Sequence, residues 1–265
     1  MADSGSGGTV GEDAVVLTET KGPVLVITLN RPDARNSVNP AVAEAMAAAL
    51  DRLDDDDTLA VGVITGAGRG FCAGMDLKAF ARGEFPVAGD RGFAGIVQRS
   101  SRKPLIAAVE GFAMAGGLEI ALACDVIVAG KGARLGIPEV TVGLFAGAGG
   151  LLRLPRRIGQ GATALMALTG APVDAEEAHR IGLVDRLTEK GGALEAALAL
   201  AEVIAGNAPL SLAASKQVLK DGLTMSEPEF WAWQAGILAP VFQSKDALEG
   251  ARAFAEKRPP QWQGE

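Results

Sequence analysis

Short apolar segments that alternate with glycine-rich turns and helices are the strongest constraint on how this 265-residue chain can fold. Asn39 is a good helix cap before Pro40, and an apolar helix follows the Gly-Gly pair at residues 116–117. Strands that alternate with helices indicate an α/β domain. The segments with the length and apolar content of strands are residues 14–19, 23–29, 61–65, 105–110 and 125–130.

The pattern changes near residue 191, after which it is helical. Residues 1–13 lack the basic flank and apolar core of a signal peptide and predict a disordered lead-in. The sequence thus predicts an α/β catalytic core over 14–190 and a helical region over 191–265. The predicted C-terminal helices cover residues 192–206, 209–221, 228–243 and 245–257.

Charge and composition exclude several functional classes. The net charge of -7 argues against a general affinity for nucleic acid or acidic membranes. The longest apolar stretches, such as 105–109 and 120–124, are far shorter than a membrane span. Cys72 and Cys124 are expected to be reduced thiols, and a cytoplasmic enzyme is the expectation.

The chain has one histidine and no tyrosine, which restricts the chemistry further. His179 is the one histidine, lies in a polar helical stretch and is a poor candidate for a Ser-His-Asp or Cys-His triad. A zinc site built on histidines is excluded by count, and no CxxC pair replaces them. The glycine turn at 63–71 is similar to a dinucleotide-binding turn, but Cys72 stands where its last glycine would be, and NAD binding is not expected. Carboxylates and backbone N–H groups remain as the candidate catalysts.

Two glutamates with apolar neighbours are the candidate acid and base. Glu119 lies in AMAGGLEIALAC, where burial would raise its pKa, although a first-turn glutamate also interacts favourably with a helix N-terminus. Glu139 follows a proline, and taken alone it is better explained as an exposed loop carboxylate. Together, about twenty positions apart and each beside a glycine turn, they favour one shared acid–base site.

Two glycine-containing turns are candidate sources of backbone donors for a developing oxyanion. They are FCAGMD at 71–76 and AMAGG at 113–117. The alternative is that their small residues only permit tight packing. Both interpretations stay open at this point.

Five segments in order resemble the crotonase (enoyl-CoA hydratase/isomerase) family, and the resemblance covers roughly residues 14–260. They are LNRPDARNSVNP (29–40), FCAGMDLKAF (71–80), KPLIAAVEGFAMAGGLEIALACDVIVA (103–129), LGIPEVTVGLFAGAGGLLRLPRRIG (135–159) and FAEKRPP (254–260). The resemblance implies a crotonase-type β-β-α spiral core with a C-terminal helical region that builds trimers, often paired into hexamers. It also implies hydration of a trans-2-enoyl-CoA to a 3-hydroxyacyl-CoA, without a metal or a separate cofactor, since coenzyme A is part of the substrate.

The resemblance assigns roles to particular residues. It implies that the N–H groups of Ala73 and Gly116 form the oxyanion hole, that Glu119 activates water and that Glu139 supplies the proton. Gly147 matches a backbone donor that positions the water or the acyl end. The residues implied to bind CoA are Ala34, Arg35, Gly74, Asp76, Leu77 and Lys257. Lys257 would act from a neighbouring subunit, whereas Arg35, Lys78 and Lys257 are each also explained as solvated basic residues.

Other functions on the same fold stay open. One is double-bond isomerisation, and another is hydration of an unusual polar acyl group such as a carnitine-derived one. A third is a non-catalytic protein that binds acyl-CoA or RNA. Departures from the family pattern at Glu110, Ala115 and residues 144–146 place the preferred acyl group in question more than the reaction. Aromatic residues in the C-terminal helices fit an oligomer contact, core packing or an acyl-pocket wall.

Overall fold

The computed structural model describes residues 14–265, so the predicted lead-in at 1–13 lies outside the described residues. The strands are β1 (Val16–Lys21), β2 (Val24–Leu29), β3 (Val61–Gly66), β4 (Val87–Ala88), β5 (Gly92–Phe93), β6 (Leu105–Val109), β7 (Phe112–Met114), β8 (Val126–Gly130), β9 (Arg134–Gly136), β10 (Val173–Asp174) and β11 (Arg186–Thr188). The helices are α1 (Pro40–Asp55), α2 (Leu77–Ala81), α3 (Gly116–Ala123), α4 (Gly150–Thr169), α5 (Ala175–Arg180), α6 (Ala193–Ala205), α7 (Pro209–Asp221), α8 (Glu227–Phe242) and α9 (Lys245–Glu256).

A six-stranded sheet in the order β1-β2-β3-β6-β8-β11 forms the centre of the fold. β1 and β2 form an antiparallel hairpin, and every other neighbouring pair in this sheet is parallel. The central strands β3 and β6 are buried along almost their whole length, because helices cover both faces of the sheet. The predicted α/β arrangement is confirmed.

A smaller sheet in the order β10-β9-β7 positions the glycine turn before α3. β7 runs parallel to β9, and the amide of Ala115, directly after β7, donates to the carbonyl of Gly136 at the end of β9. The chain therefore enters α3 from a strand end, with its first-turn amides at the edge of this sheet.

Helices pack on the two faces of the large sheet. α1 begins as its sequence predicts, since the Asn39 side chain accepts from the amide of Val42, and its apolar face lies in the main core. α6 covers the opposite face, where Ala193, Ala197 and Ala201 pack against strand residues including Val63. α6 is thus a layer of the core, although it follows residue 191.

The helix α4 is absent from the sequence-based prediction. It contains Pro155, and Gly159 has the non-helical angles φ 76° and ψ 165°, so that two helical segments meet at a kink. These residues hide the helical period in the sequence. The first segment begins beside Glu119 and the second lines a cavity beside Glu139.

The predicted C-terminal helices are present as α6, α7, α8 and α9. α7 and α8 contain no buried residue. Within residues 14–265 no single helix is long and apolar enough to cross a membrane. In the same range one pair of helices, Ala193–Ala205 and Pro209–Thr224, reaches the required length and apolar content when taken together, but the pair is bent by 113°.

Candidate active site

Glu119 lies in the first turn of α3 with 3% of its surface exposed. Its Oε1 accepts hydrogen bonds from the amides of Ala148, at 2.7 Å, and Gly150, at 2.8 Å. Gly150 is the first residue of α4, so the carboxylate sits at the N-terminus of another helix rather than interacting only with its own. The free amides at the start of α4 thereby orient Glu119.

The environment of Glu119 acts on its ionisation in two directions. Burial raises the pKa of this carboxyl, whereas the amides of Gly150 and Ala148 and the guanidinium of Arg153 favour the charged form and oppose the rise. Two amide donors are arranged for a carboxylate that accepts hydrogen bonds. These bonds orient the Glu119 carboxyl group and favour its ionised form.

Glu139 lies in a 3₁₀ turn, Pro138–Val142, and is half-buried. Its Oε2 is buried and has no hydrogen-bond partner within residues 14–265. Burial raises the pKa of Glu139 to about 7, partly offset by its own backbone amide, and the nearby charge of Glu119 raises the pKa further. The interpretation as an exposed loop carboxylate is wrong, and Glu139 is suited to hold a proton near neutral pH.

The two carboxyl groups thus differ in environment although they share one site. One accepts two backbone hydrogen bonds, and the other has an unsatisfied oxygen in an apolar wall. Backbone donors favour the ionised form of Glu119, whereas burial and the charge of Glu119 favour the protonated form of Glu139. The two groups are close enough for the charge of Glu119 to act on Glu139, and their joint catalytic role stays a prediction.

The pKa of Glu139 predicts how stability depends on pH. Because the folded-state pKa of about 7 exceeds the ordinary 4.5, ionisation of Glu139 costs stability as pH rises through this interval. We expect Glu139→Gln to raise the free energy of unfolding at pH 8 by about 1 kcal/mol, a value discounted for the partial exposure of the side chain. The gain should disappear near pH 4.5. Urea unfolding at both pH values measures it, and an equal gain at the two pH values would contradict this cause.

Two backbone amides have no acceptor within residues 14–265, one in the FCAGMD segment and the other at the start of α3. Gly116 is the first residue of α3, and its amide has no intrahelical partner. Met75 pairs with Val38 in an isolated parallel bridge, in which Val38 bonds to Gly74 and Asp76. This alternation directs the Met75 amide away from Val38, and no acceptor for it exists within residues 14–265.

The assignment of Ala73 as an oxyanion donor is corrected by the structure. The Ala73 amide donates to the carbonyl of Arg35 at 3.1 Å and is therefore used within the fold. Gly74 allows the FCAGMD segment to approach the start of α3. Its φ is 95°, and there is no room for a side chain, because a Cβ there would lie 2.9 Å from the nitrogen of Gly116. Met75, two residues after Ala73, could not be recognised from the sequence as the residue with the free amide, because strand pairing decides which amide of the motif lacks an acceptor.

Gly147 lies in the exposed loop before α4, directly before the first amide that holds Glu119. It does not itself bond to Glu119. The adjoining cavity, of about 340 Å³, extends from Glu139 along the second segment of α4. Its lining residues are Ile137, Glu139, Val140, Phe145, Ala146, Leu151, Pro155, Gln160, Thr163, Ala164, Ala167 and Leu168. The cavity is therefore mainly apolar, with Glu139 as its one charged lining residue.

The residues expected to bind CoA fall into three groups. Arg35 and Arg69 are exposed and line one cavity of about 610 Å³, and Ala34 lies in the same loop as Arg35. Arg69 was not recognised as a candidate from the sequence. Leu77 is 49% exposed at the start of α2, and a ligand could contact it.

Asp76 is bonded within the fold, whereas Lys257 is exposed at the end of α9. The Asp76 carboxylate caps α2 through the amides of Lys78 and Ala79 and pairs with Arg31 at 3.1 Å. Burial alone would raise the pKa of Asp76, but these bonds outweigh it and lower the pKa. Lys257 is the left-handed residue that ends α9 and is exposed, and its role in binding CoA stays a prediction.

A parallel α/β core, one buried and one half-buried carboxyl group, and free amides at a helix start are features typical of acid–base sites for carbonyl substrates. Within residues 14–265 no cluster of three or more metal-binding side chains occurs. The chain belongs to the enoyl-CoA hydratase/isomerase family, whose family model matches residues 19–265. The fold is that of the crotonases, as the resemblance predicts.

Solved and curated relatives agree with this assignment. An enoyl-CoA hydratase from Mycobacterium tuberculosis H37Rv is 53% identical with a TM-score of 0.93, covering 96% of this chain and all 100% of that chain. A carnitinyl-CoA hydratase from Mycobacterium avium is 44% identical with a TM-score of 0.76, over 95% and 99% of the two chains. The carnitinyl-CoA dehydratase of Proteus mirabilis is 42% identical over 92% of this chain and 97% of its own length.

Proposed function

We propose that this protein adds water across the double bond of a trans-2-enoyl-CoA with an apolar acyl chain. The single observation that carries the proposal is the unequal pair of carboxyl groups: buried Glu119 accepts from two amides, whereas half-buried Glu139 has an oxygen without a partner within residues 14–265. Hydration needs one group that accepts a proton from water and one that delivers a proton to carbon. An isomerase needs only one group that shuttles a proton, so the pair favours hydration.

The geometry supports a specific course for the reaction. The amides of Met75 and Gly116 would donate to the thioester oxygen and stabilise the negative charge that develops there. Glu119 would accept a proton from water as the water oxygen bonds to the β-carbon, and Glu139 would give its proton to the α-carbon. The step leaves Glu119 protonated and Glu139 ionised, and proton exchange with solvent restores both.

The cavity beside Glu139 favours an apolar acyl chain over a carnitine-derived one. A trimethylammonium group removed from water needs a carboxylate or aromatic faces around it. Among the lining residues of the cavity, Phe145 is the one aromatic side chain, and Glu139, the proton donor, is the one acid. The names of the carnitinyl-CoA relatives support the second candidate, which a direct comparison of substrates separates from the first.

The test is the loss of conjugated enoyl-thioester absorbance with purified protein. We expect crotonyl-CoA and a six-carbon analogue to react with kcat/KM at least about tenfold above that of the trimethylammonium analogue. A loss of this size is expected when a charged group is buried without a partner. A 3-enoyl-CoA substrate with product identification separates isomerisation from hydration. Preference for the trimethylammonium substrate would contradict the apolar assignment and leave hydration intact.

We also propose that the protein assembles as a homotrimer or a pair of trimers. The supporting observation is the apolar surface that α7, α8 and α9 leave exposed. Its members include Leu219 (73% exposed), Trp231 (60%), Phe242 (70%) and Phe254 (88%). Surfaces of this kind are costly in water and are typical of contacts with another protein. A monomeric mass in light scattering would contradict this proposal.

A further inference from the structure

Arg153 connects the turn that holds Glu119 to a separate loop of the core. It lies in the first turn of α4, where its Nη1 donates to the carbonyl of Ala148 at 3.3 Å and its Nη2 donates to the carbonyl of Val97 at 2.5 Å. The guanidinium also lies against Gly149, where a Cβ would be 2.1 Å from Nη1. Residues 148–150 are the same turn whose amides bind the Glu119 carboxylate.

The loop on the other side of this connection is itself fixed. Arg91, only 2% exposed, pairs with Asp51 at 2.5 Å and donates to the carbonyl of Arg99, which holds residues 91–99 against α1. Phe93 in this loop packs on Gly116, where a Cβ would lie 2.5 Å from the ring. Arg153 therefore connects the turn that holds Glu119 to the loop that packs behind the Gly116 amide.

The charge of Arg153 also acts on Glu119. Burial lowers the pKa of this guanidinium and the charge of Glu119 opposes the decrease, while Arg153 in turn favours the ionised form of Glu119. The charged groups that face this pair are Glu139 in the 3₁₀ turn and Arg156 on α4, and the Cys124 thiol lies close enough to act on Arg153. Arg153 is the one cation among the groups that act on the Glu119 carboxyl.

We propose that Arg153 is a positioning residue for hydration, which clamps residues 148–150 onto the loop at Val97 and so keeps the Glu119 carboxyl group oriented by the Ala148 and Gly150 amides. The inference rests on the proposed hydratase function. It assigns no contact between Arg153 and the substrate. The clamp also holds the two amides that favour the ionised form of Glu119, and the positive charge of Arg153 acts in the same direction.

Two substitutions separate charge from hydrogen bonding at this position. Arg153→Gln removes the charge and retains one donor group, whereas Arg153→Lys retains the charge but cannot reach both carbonyl groups in the fixed geometry of a guanidinium. Arg157→Met is the matched control, because Arg157 lies one turn further along α4 and donates to the carbonyl of Leu183 and to Asp185 without contact to Glu119. The readouts are kcat and KM for crotonyl-CoA between pH 5 and pH 9.

In the pH profile of kcat, we expect Arg153→Gln to move the acidic limb to higher pH by about one unit. At pH 6 kcat should fall by about tenfold or more, with little change in KM. Arg153→Lys should leave the limb in place with a smaller loss. Arg157→Met should reduce stability without moving the limb. A limb that stays in place in Arg153→Gln, with the same loss at every pH, would overturn the proposal.

A direct titration keeps this test independent of turnover. Carbon-13 NMR of the glutamate carboxyl groups, with the Glu119 signal assigned from Glu119→Gln, reports its pKa in the parent protein and in both Arg153 variants. A higher pKa in Arg153→Gln than in Arg153→Lys supports the proposal, and equal values overturn it. If the parent protein hydrates no enoyl-CoA, the proposed function fails, while this titration still decides the role of Arg153.

Discussion

Replacing Glu119 or Glu139 by glutamine is expected to lower kcat for enoyl-CoA hydration at least about a hundredfold, the scale of one acid–base group. Glutamine at position 119 can still accept hydrogen bonds from the amides of Ala148 and Gly150, so the turn before α4 should keep its shape. It cannot accept the proton of water. At position 139 the amide fills the same space but has no acidic proton to deliver to carbon.

Crotonyl-CoA turnover measures both variants, and binding of a saturated acyl-CoA shows that the site is intact. Glu189→Gln is a suitable control because the Glu189 side chain is 83% exposed and pairs only with Lys131 at the surface. The two effects should not add in the double variant, since the two groups act in one step. Near-normal turnover in either single variant would mean that the two-glutamate mechanism is wrong.

Gly74→Ala is expected to lower kcat/KM at least about a hundredfold, comparable to the loss of one oxyanion donor. Its Cβ would lie 2.9 Å from the Gly116 nitrogen, 2.8 Å from the Ala115 Cβ and 3.0 Å from the Met114 carbonyl oxygen. These neighbours are largely backbone, which cannot move without displacing the start of α3. The Gly116 amide would therefore leave its position, and stability should fall by roughly 2–4 kcal/mol from strain and overpacking.

Gly83→Ala provides a matched control for the backbone conformation. Gly83 has φ +80°, close to the φ +95° of Gly74, but nothing lies within 4 Å of a Cβ at that position. It should cost about 1–2 kcal/mol of stability from the left-handed backbone and leave kcat/KM unchanged. Equal activity losses in the two variants would show that Gly74 contributes only its backbone angle.

The sequence predicts much of the architecture because local signals decide it. The hairpin of β1 and β2, the cap of α1 at Asn39 and the four C-terminal helices follow from apolar period and capping residues. The kinked helix α4 does not, since Pro155 and Gly159 interrupt its period while tertiary packing maintains both segments. The order of the strands in the sheet could not be predicted from local signals either, because hydrogen bonds between strands distant in sequence determine it.

The sequence by itself determined which residue types are available for catalysis and predicted the reacting groups. The lack of tyrosine, a single histidine and two glutamates among apolar residues leave carboxyl chemistry, and the family resemblance identifies Glu119 and Glu139. Only the tertiary structure decided which backbone amides are free. Ala73 and Met75 belong to one short motif, yet pairing with Arg35 uses the first, and the bridge to Val38 leaves the second unbonded.

The difference between the two carboxyl groups also arises only in three dimensions. Glu119 is oriented by amides about thirty residues further along the chain, at the start of a helix whose period the sequence conceals. Glu139 has a buried oxygen without a partner in the described part of the chain, and the second segment of α4 lines the mainly apolar cavity beside it. Residue type is encoded locally, whereas desolvation and hydrogen-bond supply depend on which distant segments pack against each carboxyl group.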